Sequence, residues 1–314
     1  MIWYTAQRLL WSVAVMTITI SVLFCLIYVI PGDPVSMALG PRATEAMRSE
    51  LMTRMGLDRP VLEQLWRFIA NAFTGDLGTD MWSRQPISRI ALGALPHTLL
   101  LATLGIGWAA LIGIPLGCWT ALRRDGLADR LLGVFSAVTI ALPSFVVAIY
   151  GLLIFSVQLK WLPALGAGAA GDIADQARRL ILPSFAIGLG WVGFLARMVR
   201  ASMIEVLSEN HIRMLRAFGL RESRIVLRYA LPIAVIPTVT IIGMGFGSLL
   251  SGAVLIEIVF NRPGIGKLTY DAVMSRNFPL LTGCVLVTTA CYVLCTVAAD
   301  LMVARLDPRI RKSL

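Results

Sequence analysis

Five arginines, Arg213, Arg216, Arg221, Arg224 and Arg228, crowd a stretch between residues 203 and 232 that also holds Glu205, Glu209 and Glu222. Charged groups at this density offer ion pairs to acidic groups on a partner. Equally, they describe a basic loop flanking membrane helices. The run Gly264-Ile265-Gly266-Lys267-Leu268-Thr269 has the outline of a phosphate loop. It fails the pattern, because Asn261 stands where the first glycine belongs and Leu268 follows the lysine. The chain is therefore not expected to hydrolyse ATP, and it needs no cofactor of its own. Glu257 and Asp300 sit near the ends of apolar runs. Intramembrane carboxylates are expensive and often mark pathways, but both are expected close enough to an interface to be solvated, Glu257 outside and Asp300 inside. Cys291 and Cys295 lie one helical turn apart with no histidine beside them. These two, like Cys25, Cys118 and Cys284, read as small apolar packing residues, with no disulfide framework and no metal site. His97 and His211 read as surface or cap residues. No nucleophile–base pair and no metal-binding His-Glu-x-x-His motif occurs, so no catalytic residue is assigned.

The elements that must hold these groups are membrane helices. The chain has 314 residues, 57% of them apolar and only 15% charged. Apolar runs fall near residues 9–30, 98–122, 131–157, 180–196, 233–258 and 280–303. Each approaches the ~17–25 residues that cross ~30 Å of hydrocarbon. The first run is too long for the ~7–15-residue core of a signal peptide, and Trp3, Tyr4 and Trp11 suit the interface beside a retained helix. One face of a six-span arrangement collects Arg8, then Arg123, Arg124 and Arg130, then the segment 203–232, then Arg305, Arg309, Arg311 and Lys312, all in short segments. The positive-inside bias puts that face and both termini in the cytoplasm. The formal charge of +10 is thus mainly a topology signal. No aromatic-rich basic surface is present, so no nucleic-acid partner is expected.

The largest segment between runs is 31–96, placed outside. Pro31-Gly32-Asp33-Pro34 stops the first helix, and residues 44–55 and 61–73 read as helical pieces. In the second, Val61, Leu65, Phe68, Ile69 and Phe73 share one side, with Glu63, Arg67 and Asn71 opposite. That pattern fits packing on the membrane surface or on a partner. Gly75-Asp76-Leu77-Gly78 breaks it. Gly243, Gly245, Gly247, Ser248, Ser251 and Gly252 punctuate the fifth run, and small residues let membrane helices approach closely.

In 203–232, Gly219 is followed at twelve and thirteen residues by Leu231-Pro232. This resembles the cytoplasmic loop of ATP-binding-cassette (ABC) importer permeases, with Arg213, Met214 and Leu215 standing where that family carries Glu-Ala-Ala. The rest of the chain is similar, in order, to permeases of the peptide and nickel class. The shared steps are Pro31-Gly32-Asp33-Pro34, Met55-Gly56-Leu57-Asp58-Arg59-Pro60, Gly75-Asp76-Leu77-Gly78, Arg84-Gln85-Pro86-Ile87, Pro263-Gly264-Ile265-Gly266 and Asp307-Pro308-Arg309. Glu257 matches a glutamate that the family carries before its Phe-x-x-Pro-Gly turn.

The resemblance implies an all-α polytopic protein of the type I ABC importer permease fold, with six transmembrane helices in the bacterial inner membrane. It implies one transmembrane domain over 1–314, an external insertion at 31–96, and a core of helices 2–6 over 98–304 with a coupling loop at 203–232. Glu205, Glu209, Arg213, Arg216, Ala217, Gly219, Leu231 and Pro232 would dock on the ATPase. A left-handed cap at Gly219 would end the short helix, and Leu231-Pro232 would start the next one, proline fitting its first turn. Gly243, Gly247, Ser248, Ser251 and Glu257 are candidates for the pathway and its gate. Asp58, Arg59, Glu63 and Arg67 are candidates for contact with an external binding protein. Implied partners are a second homologous permease, two cytoplasmic ATPases that bind ATP and magnesium, that binding protein, and membrane lipid. The expected substrates are dipeptides and oligopeptides, with nickel or metal chelates, glutathione and opines as alternatives. An ion-coupled secondary transporter is the rival class. It calls for ionisable residues at mid-membrane and broken helices in an inverted repeat, whereas the centres of these runs are nearly free of charge.

Overall fold

The computed structural model describes residues 2–29, 44–46, 49, 60–169 and 171–306. The turns at 31–34, 55–59 and 307–309 lie outside the described residues, as do Asp58 and Arg59 and most of the expected helix 44–55; the Asp300 side chain is likewise not described. Among the described residues the architecture is helical, with one isolated β-bridge between Thr79 and Pro86. Packing divides the chain into two compact units, one of residues 97–263 and 295–314, the other of residues 2–96 and 264–294.

In the second unit, α1 (Ile2–Val29) carries the first apolar run and α2 (Val61–Thr74) the amphipathic piece. Phe24 and Phe68 bring the two together, ring centroids 6.3 Å apart. Only part of the expected apolar side of α2 turns inward. Leu65, Phe68 and Ile69 are half-buried, while Val61 and Phe73 are exposed along with Leu62 and Trp66. Gly75 ends α2 at φ +84°, its N–H bonding to Ala72 O and that of Asp76 to Asn71 O, as in a Schellman cap. The start of α3 (Ile87–Leu122) then packs Ile87 and Ala91 against Ile265 and Ala272 of α9 (Ile265–Met274) and Leu280 and Cys284 of α10 (Phe278–Leu306). This contact explains why α3 begins well before its apolar run. Asp80 anchors the tight turn before α3, accepting from Asn277 Nδ2 at 2.5 Å and from Ser83 N at 2.7 Å. Burial works to raise the Asp80 carboxyl, but these hydrogen bonds outweigh it and hold the group below the usual carboxylate range.

In the first unit the third run is not one straight helix. Α4 (Leu127–Ala141) stops at Leu142-Pro143, and α5 (Ser144–Gly151), which continues as a π-helical stretch Leu152–Gln158, leaves at 93° to it. The cause is local: the proline ring disfavours the helical conformation at the residue before it, and Leu142 is extended at ψ 119°. Α6 (Ile173–Ser208) starts on Asp172, whose carboxylate caps Asp175 N at 3.0 Å, and runs beyond its apolar run at both ends. Close approach of α3 to α6 depends on glycine, since a Cβ at Gly188 would overlap the Gly105 carbonyl and the Trp108 ring. Trp108 Nε1 donates to Ser184 O at 2.7 Å at the same crossing. Α7 (Asn210–Ala217) and α8 (Ile236–Val259) complete this unit with the later part of α10. Among the described residues, Ile87–Leu122, Ile173–Ser208, Ile236–Val259 and Phe278–Ala299 are each long and apolar enough to cross a bilayer, and the bent α4–α5 pair makes a fifth if it crosses as one broken span.

Candidate functional site

The segment 203–232 folds onto a hydrophobic footing. Ile212 of α7 is fully buried among Cys118 and Ala121 of α3, Val199, Met203 and Val206 of α6, and Ile225, Val226 and Ala230 beyond the turn. Leu215 and Leu220 pack at its edge. Gly219 lies at φ +75°. Its N–H bonds to Arg216 O at 2.9 Å and that of Leu220 to Leu215 O at 3.3 Å, which makes a Schellman cap. Arg216 then forks onto Glu222 across the turn, Nε to Oε2 at 3.1 Å and Nη2 to Oε1 at 2.6 Å. The hydrogen bonds from Arg216 hold the Glu222 carboxyl below its usual range, against the opposing effect of burial. With Ile212 inward, Arg213, Met214, Ala217 and Phe218 are exposed, Met214 by 53% and Phe218 by 71%. Glu205 and Glu209 are exposed beside them, and Glu209 meets His211 Nδ1 at 3.0 Å.

Leu231-Pro232 opens the α-helical segment Leu231–Ala234 with Pro232 in its first turn, as expected, but that segment does not follow a loop. The chain is already helical from Glu222–Arg224 through a π-helical stretch, Ile225–Ala230, into Leu231–Ala234. Proline has no N–H to offer the carbonyl one turn back, and the widened π turn precedes it there. Leu231 packs against the footing while Pro232 is exposed.

The small residues of α8 divide between two sides. A Cβ at Gly243 would overlap Ala299, one at Gly245 would overlap the Trp191 ring, and Gly247 is buried. Ser248, Ser251 and Gly252 are exposed, with Met244 and Leu255 on the same side. Ser248 and Gly252 also edge a cavity of about 360 Å3 lined by Thr139, Ser144, Trp191 and Phe194. Glu257 is not solvated as the sequence led us to expect: it is 1% exposed. Thr98 Oγ1 donates to its Oε1 at 2.5 Å. The reason is a sharp reversal at Asn261, φ +48°, that brings Arg262 N to Glu257 O at 2.8 Å. Arg262 is itself 2% exposed. Burial pushes its guanidinium below the usual range, with the Glu257 charge opposing. On α2, Glu63 and Arg67 form an exposed pair at 3.3 Å. At Gly264-Ile265-Gly266-Lys267 the structure has the first turn of α9, where Lys267 pairs with Asp271 at 3.1 Å.

The sequence reading missed Ile212, the Arg216–Glu222 fork and the Thr98–Glu257 bond. It also missed Asp129, which takes Arg200 as a two-pronged partner from α6. Helical periodicity within α7 would have flagged Ile212 and Leu215. The other contacts join distant positions or cross a turn and leave no local trace.

The chain is similar to known proteins along nearly its whole length. Residues 113–312 match the family described as "Binding-protein-dependent transport system inner membrane component", and residues 1–101 match the N-terminal component of the same transport systems. A glutathione transport system permease protein GsiC from Pectobacterium atrosepticum is 36% identical over 309 residues, 98% of each chain. That of Salmonella paratyphi A is 38% identical over 98% of each chain, and that of Escherichia coli K12 is 34% identical over 308 residues. Among solved structures, a chain of the inward-facing MetNI methionine ABC transporter aligns with a TM-score of 0.59 at 18% identity, covering 70% of this chain and 97% of that one. At that identity the likeness speaks to fold alone.

Proposed function

The chain belongs to the binding-protein-dependent transport system inner membrane component family, as a multi-pass ABC importer permease of the bacterial inner membrane, and from that premise we propose that its substrate is glutathione or a closely related short peptide. The observation that carries this is the set of relatives named for glutathione transport, 34–38% identical over nearly the whole chain. It narrows the general di- and oligopeptide expectation to one of its alternatives.

In this reading the chain spans the membrane six times with both termini inside and supplies half of a pathway. A second homologous permease meets the exposed side of α8, at Met244, Ser248, Ser251, Gly252 and Leu255, and Glu257 sits at the outer end of that helix. Two cytoplasmic ATPases, which bind ATP and magnesium, receive α7 through Arg213, Met214, Ala217 and Phe218. An external binding protein delivers substrate onto 31–96, with Asp58, Arg59, Glu63 and Arg67 as its candidate contacts. ATP binding would draw the ATPases together and move α7. Because Ile212 is set among the ends of α3 and α6, that movement would reach the spanning helices as a rigid-body rocking.

Competition for uptake tests the substrate. Cells depleted of other peptide importers would take up labelled glutathione in a manner dependent on this chain, and unlabelled glutathione would compete far better than dipeptides or nickel. Equal competition by unrelated dipeptides would return the assignment to a general peptide importer.

A further inference from the structure

Between the first turns of α4 and the later part of α6 lies a cavity of about 340 Å3, lined by Asp125, Asp129, Arg130, Ser136, Arg197 and Arg200 among others. This is at the lower end of the ~300–1,000 Å3 range of small-ligand sites. Its two acids are already engaged. Asp129 accepts from Arg200, Nη2 to Oδ2 at 2.5 Å with a second prong from Nε, and from Asp125 N at 3.0 Å. The Asp125 carboxylate lies 3.6 Å from Arg124. Arg130 and Arg197 have no ion pair among the described residues. At the cavity wall Ser136 is fully buried, and its hydroxyl has no hydrogen-bond partner. One turn on, Thr139 Oγ1 bonds back to Phe135 O at 2.9 Å; Ser136 makes no such bond. An unpaired buried hydroxyl is unfavourable.

The donors left over are two guanidinium groups and a hydroxyl, with the local carboxylates neutralised. That set selects a ligand that is all acceptor and negatively charged. We propose that this cavity binds a phosphate-bearing anion, taken either from a lipid headgroup or from free phosphate. Phosphate offers several strong acceptor oxygens to donors arriving from separate helices. On the expected topology the cavity opens at the cytoplasmic ends of α4 and α6, where basic pockets between spanning helices meet anionic headgroups. The positive-inside bias accounts for surface arginines at such ends, but not for a cavity walled by a buried, unpartnered hydroxyl.

The full chain, purified in detergent, would be titrated with inorganic phosphate and with short-chain phosphatidylglycerol, using short-chain phosphatidylcholine as reference. Binding in detergent does not depend on which side of the membrane the cavity faces, nor on the transported substrate. The proposal expects saturable binding of at least one anionic probe. Phosphatidylglycerol alone identifies a lipid site, and both probes identify a site open to free phosphate. Arg130→Gln with Arg197→Gln would weaken that binding on the order of tenfold or more, whereas Arg130→Lys with Arg197→Lys would retain most of it. Circular dichroism would check folding, and Ser136→Ala, which removes only the hydroxyl, decides the matter should the double Gln variant fail to fold. Saturable binding by neither probe, or binding unchanged in the folded double Gln variant or, failing that, in Ser136→Ala, overturns the proposal.

Discussion

Gly219 is a residue whose role is purely conformational. It holds φ +75°, and a Cβ there would meet nothing within 4 Å. The space is open, so only the backbone resists a side chain. An L-residue in the left-handed region costs ~1–2 kcal/mol, and β-branched residues resist it most. A penalty of that size shifts a local equilibrium by a factor of roughly 5–30. Gly219→Val is therefore expected to leave the chain inserted but to reduce uptake severalfold, by loosening the turn that sets the Arg216–Glu222 fork. Gly219→Asn, which tolerates that conformation, should retain most activity. Uptake and ATPase recruitment measured together check both variants. Wild-type uptake in Gly219→Val would remove the cap from the mechanism.

At the scale of the element, α7 and the residue that follows it leave Met214 and Phe218 exposed beside Arg213. Met214 and Phe218 would each contribute ~1.5–3 kcal/mol on full burial against a partner. Met214→Asp and Phe218→Asp should abolish co-purification of the ATPase while leaving membrane insertion intact, and a pull-down reads this directly. On α2 the exposed Glu63–Arg67 pair is available to an outside partner. Charge reversal at Arg59 and Arg67 is expected to weaken stimulation of ATP hydrolysis by the loaded binding protein, with basal hydrolysis spared. An unchanged half-saturating concentration would leave 31–96 with a structural role only. How far these elements were legible follows from their physics. Apolar runs announced the helices because hydrocarbon demands them. Gly219 announced its cap because left-handed backbone demands glycine. The extensions of α3 and α6 beyond their runs were not legible, since those ends are held by contacts such as Ile87 on Ile265 rather than by lipid. The bend at Leu142-Pro143 was written in the proline, but continuous hydrophobicity masked it. Pairs such as Asp80–Asn277, Asp129–Arg200 and Thr98–Glu257, separated by 197, 71 and 159 residues, arise only when the helices pack.

For the whole molecule, the distribution of cations predicts an orientation, and the proposed docking requires α7 on the side that holds ATP. In a background stripped of native cysteines, an impermeant reagent applied to intact cells should label Thr79→Cys and spare Ser208→Cys. The reverse pattern would invert the topology and strand the proposed docking helix on the wrong side. The central claim, that this chain supplies half of the pathway in an ATP-driven importer for glutathione-like peptides, is tested most directly in proteoliposomes carrying the chain with its co-expressed subunits and binding protein. Glutathione accumulation should require ATP, the loaded binding protein and an intact α7, and should be indifferent to proton and sodium gradients. Accumulation driven by an ion gradient in the absence of ATP would contradict the account.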